Sequence, residues 1–138
     1  MGATVVVERH LDWIDTDAAG HWHHSTLWRF VEAAEATLHR DLGILDVTFG
    51  FTPRRHLEAE FFAPLLFDRP ATVRLEVIAV GRTSATYEAR VTSDDTLIAF
   101  AQMVIVFIDN EGRSCPWPEA VARALADGVP VTATADDA

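Results

Sequence analysis

Cysteine is almost missing from this chain. Cys115 stands alone, which excludes an intramolecular disulfide framework and fits a reducing compartment. Basic residues are also scarce, 11 against 21 acidic ones, for a formal net charge of −10. A surface of that sign repels phosphate backbones and argues against nucleic-acid partners. Long apolar runs are lacking too, and no stretch approaches the roughly 20 residues of a membrane span. Met1–Val7 has no basic n-region, and its apolar run is short for a signal peptide. Val6 stands where a myristoylation signal requires Ser or Thr. There is no Gly-x-Ser-x-Gly nucleophile elbow, no phosphate-cradling Gly-Lys-Ser/Thr loop and no dinucleotide fingerprint. Internal repeats and low-complexity segments are likewise missing. The expectation is a cytoplasmic protein without membrane or nucleic-acid partners.

What is present suits one domain. The 138 residues are 49% apolar, enough for a core, and an oligomer would bury more surface than a chain of this size does alone. Residues 4–12 are rich in β-formers and read as a strand, and 13–24 carry loop signals. From Ser25, Leu27, Val31, Ala34, Leu38 and Leu42 recur at helical spacing, with Arg29, Glu32, Ala36 and Arg40 opposite. Ser25 or His24 caps the start of this helix and Gly43 ends it. Residues 44–53 read as a connection. Four strands follow, at 56–62, 71–80, 83–92 and 97–108, separated by turns too short for parallel crossovers. The last is so continuously apolar that burial on both faces is expected. Pro118 opens a short helix ending near Gly128, which places the domain at 1–128 and a disordered tail at 129–138. The order implies an α+β fold, an antiparallel sheet packed on one long helix.

The densest polar cluster, Asp15-Thr16-Asp17-Ala18-Ala19-Gly20-His21-Trp22-His23-His24-Ser25, lies between the first strand and the long helix. Unpaired amides and the positive dipole end at a helix start favour developing negative charge such as a thioester oxyanion. A nearby carboxylate would supply a base or nucleophile. On spacing alone these carboxylates equally fit caps of turns or of the helix.

This cluster, followed by Phe30-Val31-Glu32-Ala33-Ala34, resembles the signature of the 4-hydroxybenzoyl-CoA thioesterase family, with its Asp-Thr-Asp-Ala-x-Gly motif and a histidine seven residues after the second Asp. Glu60-Phe61-Phe62-Ala63-Pro64, Asp68, Gly81-Arg82-x-Ser84 and Ala99-x-Ala101-Gln102-x-Val104 also agree, so the resemblance spans roughly residues 5–126. It implies a hotdog fold, a curved antiparallel sheet wrapped around a long helix. It further implies homodimers or homotetramers with active sites between subunits. The implied activity is hydrolysis of an acyl-CoA or acyl-carrier-protein thioester, with Asp17 as base or nucleophile. His24 supplies a backbone N–H to the thioester carbonyl, and its side chain is also implicated. Gly20, Trp22, Ser25 and Arg82 are the expected substrate-binding residues, Arg82 through coenzyme A phosphate. Arg69 and Arg113 are further candidates without motif support. No metal or resident cofactor is implied, because coenzyme A is part of the substrate. The acidic surface favours coenzyme A over an acidic carrier protein. Thr26 and Leu27 occupy the region where many members carry tyrosine, and His21-Trp22 is bulkier than usual.

Competing readings attach to other residues. Glu35 borders the apolar stripe and could serve as the helix glutamate of a second hotdog branch, whereas Glu32 points away. His21, His23 and His24 suggest a metal cluster, but adjacent loop histidines are more often hydrogen-bonded or exposed. Cys115 lies in a late loop with no His near it in sequence, and His56 fits an edge strand. Trp13, Trp22 and Trp28 fit core or interface packing as well as an acyl pocket. A hotdog dehydratase or hydratase is the enzymatic alternative, without the Gly-His-Phe-Pro type of motif here. A non-catalytic acyl-thioester binder is the other.

Overall fold

The computed structural model describes residues 2–132. The elements run β1 (Thr4–His10), a 3-10 turn (Trp13–Asp15), α1 (His24–Asp41), α2 (Leu45–Thr48), β2 (Arg54–Phe61), β3 (Pro70–Val80), β4 (Ser84–Ser93), β5 (Thr96–Val106) and α3 (Glu119–Asp127). Among the described residues the strands form a single antiparallel sheet of order β1-β3-β4-β5-β2. Register shifts at Arg54/His56, Val77/Ala79 and Val91/Thr92 interrupt the ladders, and such irregularities bend strands and tighten their twist. The sheet curves around α1.

Alternation places the core. Val73, Leu75 and Val77 of β3, Tyr87, Ala89 and Val91 of β4, and Ala99, Ala101 and Met103 of β5 are all buried and sit opposite one another in register. The expected stripe Leu27, Val31, Ala34, Leu38 and Leu42 is buried against this face. Each large apolar member contributes roughly 1.5–3 kcal/mol over an exposed position. Arg29, Glu32 and Arg40 on the far side of α1 are exposed.

The structure corrects several expectations. His23 caps α1 in place of Ser25 or His24, its ring accepting the Ser25 N–H. Gly43 does end the helix as expected, following the C-cap Leu42 at φ 72°. The 44–53 connection contains the one-turn helix α2. In β5, Phe100, Gln102, Val104 and Val106 are only half-buried, because no layer among the described residues covers the outer face of the sheet. Of the expected tail, residues 133–138 lie outside the described residues. Residues 129–132 return along the end of α1, and the Val131 N–H donates to the Leu42 carbonyl at 2.8 Å. No helix among the described residues is long and apolar enough to cross a membrane.

Candidate active site

The segment between β1 and α1 folds back on itself. The Asp17 N–H donates to the His21 carbonyl at 2.8 Å, and the Gly20 N–H to the Asp17 carbonyl at 3.1 Å. Gly20 has φ +82°, a left-handed conformation that glycine adopts without steric cost. Asp17 Oδ1 accepts the Ala19 N–H at 2.8 Å, as in an Asx turn. The carboxylate therefore caps its own turn through one oxygen, while among the described residues its other oxygen has no hydrogen-bond partner.

The turn leads directly into α1. His24 is the first residue of that helix, and among the described residues its N–H has no acceptor. Asp17 and His24 line one cleft of about 410 Å³ together with His21, Trp22, Phe61, Phe62, Ala63 and Pro64. Trp22 is 6% exposed, with Phe30 at 6.0 Å and Phe61 edge-on at 5.8 Å between ring centroids. The cleft thus joins a carboxylate and a free helix-end amide to an aromatic wall.

Of the residues singled out from sequence, Asp17, Trp22 and His24 meet at this cleft. Gly20 shapes the turn beside it. Ser25 is engaged by His23 Nδ1, which receives its N–H at 3.2 Å and lies 2.8 Å from its Oγ. Arg82 sits exposed in the β3–β4 turn and does not line the cleft within this chain. Arg69 lies 3.9 Å from Asp94, and Arg113 lies 3.6 Å from Glu111. His56, on edge strand β2, is exposed with Glu58 at 3.7 Å. Among the described residues no three His, Cys, Asp or Glu side chains are grouped for a metal. Phe61 and Phe62 were not singled out as site residues. Their signal was a pair of aromatics ahead of a strand-ending Ala63-Pro64.

A second cavity, about 420 Å³, lies farther along α1 between Glu32, Glu35, Ala36 and His39 on one side and Leu45–Gly50 and Thr52–Arg54 on the other. Glu35 is 8% exposed, and Arg54 grips both its oxygens at 2.5 and 3.0 Å. Burial pushes the Glu35 carboxyl above its usual range, with Arg54 opposing. His39 is 2% exposed, and burial followed by the Arg54 charge lowers its pKa to about 4. Thr48 Oγ1 gives its proton to the Ile44 carbonyl at 3.2 Å, so it accepts from His39 Nδ1–H at 2.7 Å. His39 Nε2 then accepts from the Tyr87 O–H at 2.6 Å. Burial holds the Tyr87 hydroxyl well above its usual range. Every one of these buried polar groups is partnered inside the protein, so this larger cavity offers a ligand less than the cleft does. Glu32 is exposed, yet it lines the rim of this cavity.

Sheet, helix and cleft together define a hotdog fold. The sequence matches the thioesterase-like superfamily over residues 11–125, and the chain belongs to that family. No curated protein matches it. Among solved structures it is similar to a thioesterase of Thermus thermophilus complexed with coenzyme A and Zn, at 25% identity and a TM-score of 0.80, covering 91% of this chain and 96% of that one. A 1,4-dihydroxy-2-naphthoyl-CoA thioesterase of Synechocystis aligns at 22% identity and TM-score 0.79, over 91% and 97%. A predicted thioesterase of Bacillus stearothermophilus aligns at 20% and 0.82, over 92% and 97%.

Proposed function

We propose that this protein hydrolyses an acyl thioester to free acid and thiol, as a cytoplasmic enzyme of the 4-hydroxybenzoyl-CoA thioesterase type. The observation that carries the reading is the shared cleft of the Asp17 carboxylate and the unpaired His24 N–H at the start of α1. Asp17 takes a proton from water, the oxygen attacks the thioester carbon, and the carbonyl oxygen gains negative charge at the His24 amide. The C–S bond then breaks, and the thiolate takes up the proton. In the nucleophilic variant the Asp17 carboxylate attacks the thioester carbon, the C–S bond breaks and the thiolate leaves. Water then hydrolyses the resulting anhydride to free acid and the Asp17 carboxylate, its proton going to the thiolate. Either route needs only this carboxylate and this amide, aided by the helix dipole. The His24 side chain, facing the same cleft, orients water or Asp17.

Coenzyme A is the preferred thiol, in keeping with the similarity to a protein complexed with coenzyme A and with the acidic surface. Homodimers or homotetramers complete the site, and Arg82, absent from the cleft of its own chain, meets coenzyme A phosphate in such an assembly. Glu35 is the lesser candidate base, because Arg54 already holds both its oxygens.

The test is free-thiol release from a panel of acyl-CoAs by the wild type and Asp17→Asn. Loss of a positioned base lowers turnover by roughly 10²–10⁴-fold, with the fold retained by circular dichroism. Equal rates refute the role of Asp17. Turnover of enoyl or 3-hydroxyacyl thioesters without thiol release points to a hydratase, and binding without turnover points to a non-catalytic binder.

A further inference from the structure

Asp15, the first acid of the motif, has no part in the chemistry above, yet it is 7% exposed and accepts hydrogen bonds from four directions. Its Oδ1 receives Arg29 Nη2–H at 2.6 Å, and its Oδ2 receives the Asp12 N–H at 2.9 Å. Its carbonyl receives the His23 N–H at 2.7 Å and Thr26 Oγ1–H at 2.8 Å. Arg29 Nη2 also donates to Thr26 Oγ1 at 2.8 Å, so turn and helix share one closed network. Thr26 is fully buried and stands on the first turn of α1.

The location of these bonds matters more than their number. The Asp15 carbonyl to His23 N–H bond closes the base of the loop, beside the Thr16–Trp22 bridge. Asp17 lies two residues beyond one end of that closure, and His24 one residue beyond the other. A tilt at Asp15 therefore changes the spacing between the carboxylate and the helix-end amide. Arg29 ties the Asp15 side chain to the body of α1 independently of the backbone closure. The Asp15 carboxylate is sheltered and its partner charge-assisted, which makes the tie stronger and more directional than an exposed ion pair.

We infer that Asp15 and Arg29 are positioning residues that set the distance between the Asp17 carboxylate and the His24 N–H. The inference rests on the hydrolytic reading of that cleft for its kinetic consequence but not for its structural one. Arg29 lies on the exposed side of α1 and lines neither cavity of its own chain, so a loss that appears in kcat and in His23 exchange but not in KM runs through Asp15.

The experiment compares Arg29→Met, Arg29→Lys and the double variant Arg29→Met/Asp15→Asn with wild type. It measures kcat and KM for thiol release and the hydrogen exchange of the His23 amide. Arg29→Met lowers kcat by roughly 10–100-fold, the scale of a small misplacement of reacting groups, with KM nearly unchanged and His23 exchange accelerated. Arg29→Lys recovers most of both effects. The double variant leaves no lone buried charge and carries the test if Arg29→Met does not fold. Unchanged His23 exchange overturns the inference, whether or not kcat falls, as does a loss expressed in KM alone. If the wild type hydrolyses no thioester, the proposed function fails. The exchange measurement still decides the positioning role, faster exchange in Arg29→Met supporting it and unchanged exchange overturning it.

Discussion

Tyr87 and His39 lie 48 residues apart in sequence and 2.6 Å apart in space, and among the described residues the atoms that meet have no other hydrogen-bond partner. Tyr87→Phe keeps the ring and removes the hydroxyl, so it leaves His39 Nε2 without a donor in a site where the imidazole is 2% exposed. An orphaned buried acceptor costs about 1–3 kcal/mol. The expected outcome is a lower urea midpoint at unchanged slope, and a midpoint equal to wild type would mean that water reaches the imidazole. Nothing in the sequence marks this pair. A tyrosine in an alternating strand and a histidine on a helix are each locally unremarkable, and only the fold makes them neighbours. The same holds for Arg54, which follows a proline in an irregular connection and ends against Glu35. Asp17, by contrast, was singled out through the family resemblance of the eleven consecutive residues Asp15–Ser25, since spacing alone left it equally a turn cap, and its Oδ1 does accept the Ala19 N–H. Thr26 was noticed only as a departure from pattern, although its hydroxyl binds the Asp15 carbonyl.

At the scale of elements, the helix stripe and the alternation of β3 and β4 were legible because period and burial coincide there. The strand order was not. β1 pairs with β3 across the whole of α1 and β2, and β2 pairs with β5 on the opposite edge, choices made by long-range packing that no local pattern encodes. The burial expected for both faces of β5 failed for a related reason. Apolar character reports what a face tolerates, and among the described residues nothing is layered over that outer face. Edge strand β2 shows the same incompleteness on the inner side. Leu57, Ala59 and Phe61 pair with the core residues Met103, Ala101 and Ala99, yet Leu57 and Phe61 are each 44% exposed. An unpaired edge carrying exposed apolar residues is a template for association, and the proposed oligomer covers it. Leu57→Glu places a charge on that face. The expected outcome in sedimentation velocity is a shift toward monomer with little change in the far-ultraviolet spectrum, while an unaltered distribution would put the subunit contact elsewhere.

For the molecule as a whole, pH acts through opposing terms. The net charge of −10 relaxes as pH falls toward the isoelectric point of 4.8, which by itself favours the compact state. His39 works in the other direction. Its folded pKa of about 4 lies below the ordinary 6.5, so between those values the unfolded chain binds the proton more tightly. Its stabilising contribution is complete above pH 6.5 and is lost progressively as pH falls to 4. Glu35, raised from 4.5, has the reverse sign, for its contribution is present below 4.5 and is lost as pH rises through the folded value. Tyr87 adds a loss only above pH 10, where the unfolded phenol ionises first. His39→Gln isolates the histidine from the other two, since glutamine does not titrate and its carbonyl can still accept from the Tyr87 hydroxyl. The stability difference between wild type and His39→Gln should shrink by about 2–3 kcal/mol from pH 7.5 to 4.5, read from urea midpoints at each pH. A difference that stays constant over that range would mean the imidazole titrates alike in the folded and unfolded chains, and acid sensitivity would then have to arise from the carboxylates.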